Sequence, residues 1–249
     1  MRHCFFALLS LVLLAFTVSA QAQNALVGFS TTEKVGFAYY RLINRDPPVE
    51  DWVRTREDYK AAKPNVQLDI MRNERLRLRE GYAVYFPDRD LLTMTVPMVF
   101  DAMDNPNYPS NIEAKAKELT KRVRIRFPQV HGQPYFPFQL GLLWVGLIPE
   151  NLEDLFVRDM TEDEFQLFCR AVNDCANFSN RTLDTVLVLK PTAADAKEPL
   201  MDGDLPIWLL LAEVGALYVQ LNGHPIEWKY TAPWYDEHQA QSLMTLFSK

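Results

Sequence analysis

The feature that most constrains the fold is the alternation of apolar and polar residues in several segments of the chain. Residues 91–101 and 121–127 (KRVRIRF) both alternate in this way, and a period of two is typical of a half-buried strand. Residues 138–148 are almost wholly apolar, which predicts a central strand buried on both faces. Residues 182–189 and 206–221 complete the predicted sheet.

The dipeptide Asn222-Gly223 predicts a tight turn at the end of the last long strand. This pair favours a two-residue type I′ hairpin. Closing the hairpin there places Val219 opposite Ile226 and keeps the apolar partners on one face.

In the first part of the chain, apolar residues recur at the spacing of a helix over residues 30–43, 49–62 and 66–80. Gly81 is expected to end the third helix and a strand to follow. Residues 74–86 also alternate, so a strand there is the alternative.

A further helix is predicted around residues 162–174. Thr161 and Glu164 have the spacing of a capping box, in which each side chain accepts a hydrogen bond from the other residue's backbone. Helices concentrated near the N-terminus and strands elsewhere predict an α+β fold with a largely antiparallel sheet.

Residues 1–22 have the anatomy of a cleaved signal peptide. A short basic start precedes an apolar run over residues 5–18, and small residues follow. The run is shorter than the roughly 20 residues of a membrane span, although an uncleaved anchor is the alternative. We therefore predict a periplasmic or secreted protein with one soluble α+β domain over residues 23–249 and no transmembrane segment in the mature chain.

Removal of this signal peptide, the leader, leaves two cysteines, Cys169 and Cys175. An even number of cysteines in an oxidising compartment indicates a disulfide. On one continuous helix they would lie about 9 Å apart along the axis, too far for a bond. The pairing therefore requires the helix to end near Val172. Two unbridged thiols are the alternative.

Charge and composition exclude several kinds of function. The chain has 26 Lys and Arg against 32 Asp and Glu, a net charge of −6, which argues against nucleic-acid binding. The histidines beyond the leader show no metal-ligand spacing, so neither a metal nor a cofactor is predicted.

Two sets of alternating arginines are candidates for binding an anion. They are Arg75, Arg77 and Arg79, and Arg122, Arg124 and Arg126. On neighbouring strands, six guanidinium groups would meet and could bind phosphate, sulfate or an acidic polysaccharide. The alternative is a solvated face balanced by acidic residues, and a helical first set would scatter its arginines.

The Pro-rich tract over residues 128–138 is the predicted recognition loop. Tyr135 and Phe136 are its candidate binding residues, because exposed aromatic rings bind sugars and peptides. Packing in the interior is the alternative for these rings.

These patterns predict a non-enzymatic binding or envelope-associated protein of the periplasm or the extracellular space. Its partner would be another protein or an anionic small ligand. The alternative is an uncharacterised hydrolase near His131, for which His131 and His224 are the candidate catalytic residues.

The predicted disulfide can be tested by intact-mass measurement of the exported protein. If Cys169 and Cys175 are bonded, reduction adds the mass of two hydrogen atoms. A Cys175→Ser variant is the control and should show no such change. An unchanged mass for the parent protein would contradict the pairing.

Overall fold

The computed structural model describes residues 26–104, 106, 119–126, 135–150, 157–171, 182–219 and 228–236. They divide into two units, each assembled from three stretches of the chain. The first draws on Met1–Asp90, Pro137–Gly146 and Ala193–Leu210, and the second on Leu91–Phe136, Leu147–Thr192 and Leu211–Lys249. The leader predicted over residues 1–22 lies outside the described residues, and the single domain over 23–249 stays a prediction.

The helices described in the first unit follow the predicted amphipathic segments. They are α1 (Thr31–Leu42), α2 (Val49–Thr55), α3 (Glu57–Ala61) and α4 (Pro64–Val84). Helix α1 begins at a capping box, in which Ser30 Oγ accepts from the Glu33 backbone and Glu33 accepts from the Ser30 backbone. The helix predicted over 49–62 is interrupted at Arg56, whose backbone is extended.

Helix α4 continues through Gly81 to Val84, so the predicted end at residue 80 and the strand after it are wrong. Gly81 is a point of close packing. A Cβ atom at this position would lie 2.3 Å from the Cζ atom of Phe29. Glycine is therefore required for a neighbouring ring to contact the helix, although glycine elsewhere often ends one.

Aromatic rings form the core of the first unit around the fully buried Phe37. Its ring centroid lies 5.4 Å from that of Phe29 and 6.0 Å from those of Trp52, Tyr82 and Tyr85. Such ring pairs add about 0.5–1.5 kcal/mol each beyond the burial of apolar area. They join the middle of α1 to α2 and to the end of α4.

The apolar segment predicted as one central strand over 138–148 is a hairpin. Strand β3 (Phe136–Leu140) and strand β4 (Leu143–Glu150) are neighbours in the sheet and flank a turn. Gly141 in this turn has φ of +65°, a value that glycine adopts without steric cost.

The second unit contains most of the strands that the structure describes. They are β1 (Leu92–Asp104), β2 (Lys121–Arg126), β5 (Val157–Met160), most of β6 (Thr182–Ala194), the end of β8 (Leu205–Val219) and β9 (Trp228–Thr231). Strands β8, β6, β1, β2 and β5 lie side by side in that order, and β9 pairs with β8. A short strand of the first unit, β7 (Leu200–Asp202), pairs with the start of β8.

The α+β class is confirmed, but the expectation of a largely antiparallel sheet is wrong, because the sheet is mixed. Sequence neighbours are often not sheet neighbours here. Strand β1 pairs with β6, and β4 lies beside β8. Only connections that cross over between strands produce parallel pairs, and local alternation of apolar residues does not reveal them.

The predicted antiparallel pairing of the last long strand with the segment after it is present in β8 and β9, at a different register. Val219 lies opposite Trp228 rather than Ile226. Because side chains alternate with a period of two, this shift of two residues leaves the same side chains on the same face. The predicted turn at Asn222-Gly223 lies outside the described residues.

The predicted capping box is confirmed at helix α5 (Glu162–Ala171). Glu164 N donates to Thr161 Oγ1 at 3.2 Å, and Thr161 N donates to Glu164 Oε2 at 2.9 Å. Cys169 is buried on this helix. Cys175 lies outside the described residues, so the disulfide between them stays a prediction.

Substitution of Gly81 by alanine tests the close contact with Phe29. Alanine stabilises an exposed helix position by about 1 kcal/mol relative to glycine. Here the added methyl group meets a ring, so we expect Gly81→Ala to lower the free energy of unfolding by about 1–3 kcal/mol. Chemical denaturation measures the change, with Asn73→Ala on the exposed face of α4 as the control. Stabilisation by Gly81→Ala would contradict the contact.

Candidate anion-binding site

The end of helix α1 has the hydrogen-bond pattern of a Schellman motif. Asn44 N donates to Arg41 O at 3.1 Å, and Arg45 N donates to Tyr40 O at 3.0 Å. Asn44 has φ of +53°, and asparagine is, after glycine, the residue that occupies this left-handed position most readily. The motif turns the chain sharply and leads it into Asp46 and Pro47.

Arg41, in the last turn of α1, binds the C-terminal end of α4. Its Nε donates to Tyr85 O at 3.1 Å, and its Nη2 donates to the carbonyl oxygens of Tyr82 and Ala83. The last carbonyls of a helix have no hydrogen-bond partner within the helix. A cation beside them is stabilised by the partial negative charge of the helix dipole at that end. Arg41 therefore fixes the end of α4 and is itself fixed there.

Tyr82 lies directly beneath this guanidinium group. The Cζ atom of Arg41 lies 4.1 Å from the centroid of the Tyr82 ring, which is a cation–π contact. The hydroxyl of Tyr82 donates to Arg45 O at 2.8 Å. Burial raises the pKa of Tyr82, and this effect is opposed by the positive charge of Arg41 and assisted by the negative charge of Asp46. Both charges therefore act on the same phenol.

A cavity of about 510 Å³ adjoins these groups, and we refer to it as the Arg41 cavity. Its lining comprises Arg41, Asp46, Pro47, Arg79, Tyr82 and Ala83. The volume lies within the usual range for small-ligand pockets. Because Asp46, Arg79 and Ala83 are exposed, the cavity opens to solvent.

The two guanidinium groups of the cavity are held differently. Arg79 forms an exposed ion pair with Glu50, at 3.1 Å between Nη2 and Oε1. Arg41 donates only to backbone carbonyls, and no carboxylate of the described residues lies within 4 Å of it. The positive charge of Arg41 is therefore not neutralised by an ion pair in the part of the chain that the structure describes.

A second cavity of the first unit, of about 720 Å³, is bordered by Trp52, Arg56 and Lys60. Here the cations already have acidic partners. Arg56 forms ion pairs with Asp58 and Glu74, and Lys60 lies 2.9 Å from Glu57. Its charges are therefore neutralised, so the Arg41 cavity is the better candidate for an anion site.

The first predicted arginine set does not converge with the second, because Arg75, Arg77 and Arg79 lie on helix α4. Residues four apart share a helix face, and both Arg75 and Arg79 contact Glu50. Arg77 points elsewhere, to Glu33 and Glu74. The convergence of six arginines is therefore excluded.

The second set lies on β2, as predicted, and is flanked by acidic residues. Arg122 forms a bidentate pair with Asp159 at 2.7 and 3.0 Å, and this hydrogen bonding raises the pKa of its guanidinium group. Arg124 lies opposite Asp101 in the register with β1. The pair with Asp159 favours the alternative of a charge-balanced face for Arg122.

Arg126, the last member of that set, lies opposite Val99 on β1. The binding role predicted for the three arginines of β2 stays a prediction. The same holds for catalysis by His131 and His224, because both residues lie outside the described part of the chain.

Tyr135 and Phe136 are only 3% and 6% exposed. A buried ring presents little surface to a partner. Their burial favours interior packing over the recognition loop for these two rings, while residues 128–134 of the predicted loop lie outside the described residues.

Sequence reasoning missed Arg41, Asp46 and Tyr82 as a group. The Pro47-Pro48 pair marked an interruption after α1, but it gave no sign of what the loop would face. The meeting of Arg41 with residues 82–85 depends on packing between distant segments. An asparagine shortly after a helix whose last turn contains an arginine was the local signal of the Schellman turn.

Searches for similar proteins and for other site types add no functional assignment. No protein-family model, curated protein or solved structure matches this chain. Among the described residues, no group of three or more His, Cys, Asp or Glu side chains is arranged to hold a metal ion. Within the same residues, no helix is both long enough and apolar enough to span a membrane.

Substitution of Arg41 by lysine tests its role at the end of α4. Lysine keeps the charge but cannot reproduce the planar, multiple hydrogen bonding of arginine. We expect Arg41→Lys to lower the free energy of unfolding by about 1–3 kcal/mol. Arg45→Lys, at an exposed position of the adjoining turn, is the matched control in chemical denaturation. An equal loss of unfolding free energy in Arg41→Lys and Arg45→Lys would contradict the role of Arg41 at the end of α4.

Proposed function

We propose that this chain is a non-enzymatic, exported binding protein that holds a small anionic ligand in the Arg41 cavity. The observation that carries the proposal is the state of Arg41. Its guanidinium group is fixed by three backbone carbonyls, has no carboxylate of the described residues within 4 Å, and lines a cavity of ligand size.

Fixation of Arg41 lowers the cost of binding. A side chain that is already ordered loses little conformational freedom when a ligand arrives. Among the described residues, Nη1 of Arg41 has no hydrogen-bond acceptor. It is available for a charge-assisted bond, which is stronger than a bond between neutral groups.

Arg79 supplies the second cation of the site. Its ion pair with Glu50 is exposed, and exposed pairs contribute only about 0–1 kcal/mol. The exchange of Glu50 for a ligand anion therefore costs little. Together, the two guanidinium groups supply the charge and the hydrogen-bond donors that carboxylates and phosphates require.

The lining of the cavity supports binding rather than hydrolysis. Its described members include no serine, threonine, cysteine or histidine, which are the commonest nucleophiles and proton carriers of hydrolases. The acid–base groups among these members are Asp46 and Tyr82, and the Tyr82 hydroxyl donates to Arg45 O. The hydrolase alternative rests on His131, outside the described residues, and no observation favours it.

Export to the periplasm or the extracellular space is part of the proposal. It is supported by the leader pattern of residues 1–22, with its basic start, apolar run and small residues. N-terminal sequencing of the exported protein should find a start near Gln21 or Gln23. A retained Met1 would contradict cleavage.

Anion binding is tested by isothermal titration calorimetry with valerate and with inorganic phosphate. We expect Arg79→Gln to weaken binding about tenfold, which corresponds to the loss of about 1.4 kcal/mol, and added salt to weaken binding by the parent protein. Arg75→Gln is the matched control, because Arg75 contacts the same Glu50 but does not line the cavity.

Two results would contradict this proposal. One is that the parent protein binds neither of these anions at low ionic strength and also fails to bind any other small ligand that carries a carboxylate. The other is that Arg75→Gln weakens binding as much as Arg79→Gln, which would place the effect outside the cavity.

A further inference from the structure

We propose that the ligand of the Arg41 cavity is a small amino acid or a close zwitterionic analogue. Its carboxylate would lie at Arg41 and Arg79, and its ammonium group at Asp46. This inference rests on the proposed function, since it names the class of carboxylate ligand that the same cavity would bind.

Asp46 is the residue that points to a zwitterion. It lines the cavity together with the two arginines, and it lies more than 4 Å from both guanidinium groups, because neither forms an ion pair with it. The cavity therefore presents one negative and two positive groups that do not pair with one another, although Arg79 is paired with Glu50 outside the lining.

The backbone explains why these opposite charges stay apart. Arg41 is held at the end of α4 by its three carbonyl partners. Asp46 follows the Schellman turn at Asn44 and precedes Pro47, whose ring fixes its own backbone and restricts that of Asp46. The structure contains no direct ion pair between Asp46 and either guanidinium group, and a ligand carrying both charges would match the groups as they lie.

A zwitterion also fits the electrostatics better than a simple anion does. Asp46 repels a carboxylate or phosphate placed at the arginines and attracts an ammonium group. A lone cation would gain from Asp46 but would be repelled by Arg41 and Arg79. Only a ligand with both charges gains from all three side chains.

The remaining lining of the cavity suits a short apolar side chain. Pro47, Ala83 and the ring of Tyr82 supply apolar surface beside the charged groups. Contact of such surfaces with an aliphatic chain of a few carbons would add hydrophobic stabilisation. The volume of about 510 Å³ is sufficient for an amino acid of this size.

The test compares three probes with closely related carbon chains by isothermal titration calorimetry on the full-length mature protein. L-norvaline carries both charges, valerate carries the carboxylate alone, and butylamine carries the ammonium group alone. The parent protein should bind norvaline at least about tenfold more tightly than either of the others. Asp46→Asn should weaken norvaline binding about tenfold and strengthen valerate binding, because attraction and repulsion are both removed.

Asp69→Asn is the matched control, since Asp69 is an exposed acid of α4 that does not line the cavity. It should leave all three affinities as in the parent protein. Circular dichroism confirms that each variant is folded.

The outcomes separate this inference from the function on which it rests. Equal affinity for norvaline and valerate, or a preference for norvaline that Asp46→Asn leaves intact, would overturn the zwitterion and leave anion binding standing. If none of the three probes binds, and phosphate does not bind either, the anion-binding function itself fails.

Discussion

The first unit depends on the contact of Arg41 with the last carbonyls of α4. A helix end that lies against protein needs donors for those carbonyls, and Arg41 provides them with Nε and Nη2. The same contact brings a positive charge to a place where no described carboxylate neutralises it. A structural requirement of the helix end thus produces the chemical character of the cavity.

The segment just before α1 packs closely against α4 at Gly81, near the end that Arg41 contacts. The ring of Phe29 lies against this glycine and also contacts Phe37, at the centre of the aromatic core. Ring contacts of Phe37 with Tyr82 and Tyr85 then hold the end of α4 near α1. Aromatic packing therefore places the carbonyls within reach of Arg41, and hydrogen bonding determines the orientation of its guanidinium group.

The sequence predicted local structure well where one physical signal determined it. The capping box at Thr161 and Glu164 and the strands of alternating residues are examples, because each depends on residues close in the chain. Gly81 shows the limit of such reasoning. Its usual role as a helix end was outweighed by a contact with Phe29, more than fifty residues earlier in the chain.

The arrangement of the sheet and of the site could not be predicted, because both depend on contacts between residues that are far apart in the chain. Strand β6 lies between β8 and β1, and no local pattern encodes that order. The alternation of arginines over residues 75–79 would place all three on one face of a strand, the alternative to the predicted helix, whereas the observed helix directs Arg77 to Glu33 and Glu74. Convergence of arginines does occur, but between Arg41 of α1 and Arg79 of α4.

The proposed binding in the Arg41 cavity would be linked to the stability of the fold through Arg41, which lines the cavity and also holds the end of α4. In the unfolded chain, Arg41 and Tyr82 are separated by forty residues, so the cavity exists only in the folded state. A ligand that binds only the folded state stabilises it by an amount that grows with the logarithm of ligand concentration. Because Arg41 holds α4 through Nε and Nη2 and also lines the cavity, a carboxylate bound there, as proposed, would reinforce the orientation that the helix end already imposes. On the proposed function, the cavity and the end of α4 would act as one cooperative element, because the group that completes the helix end also lines the cavity.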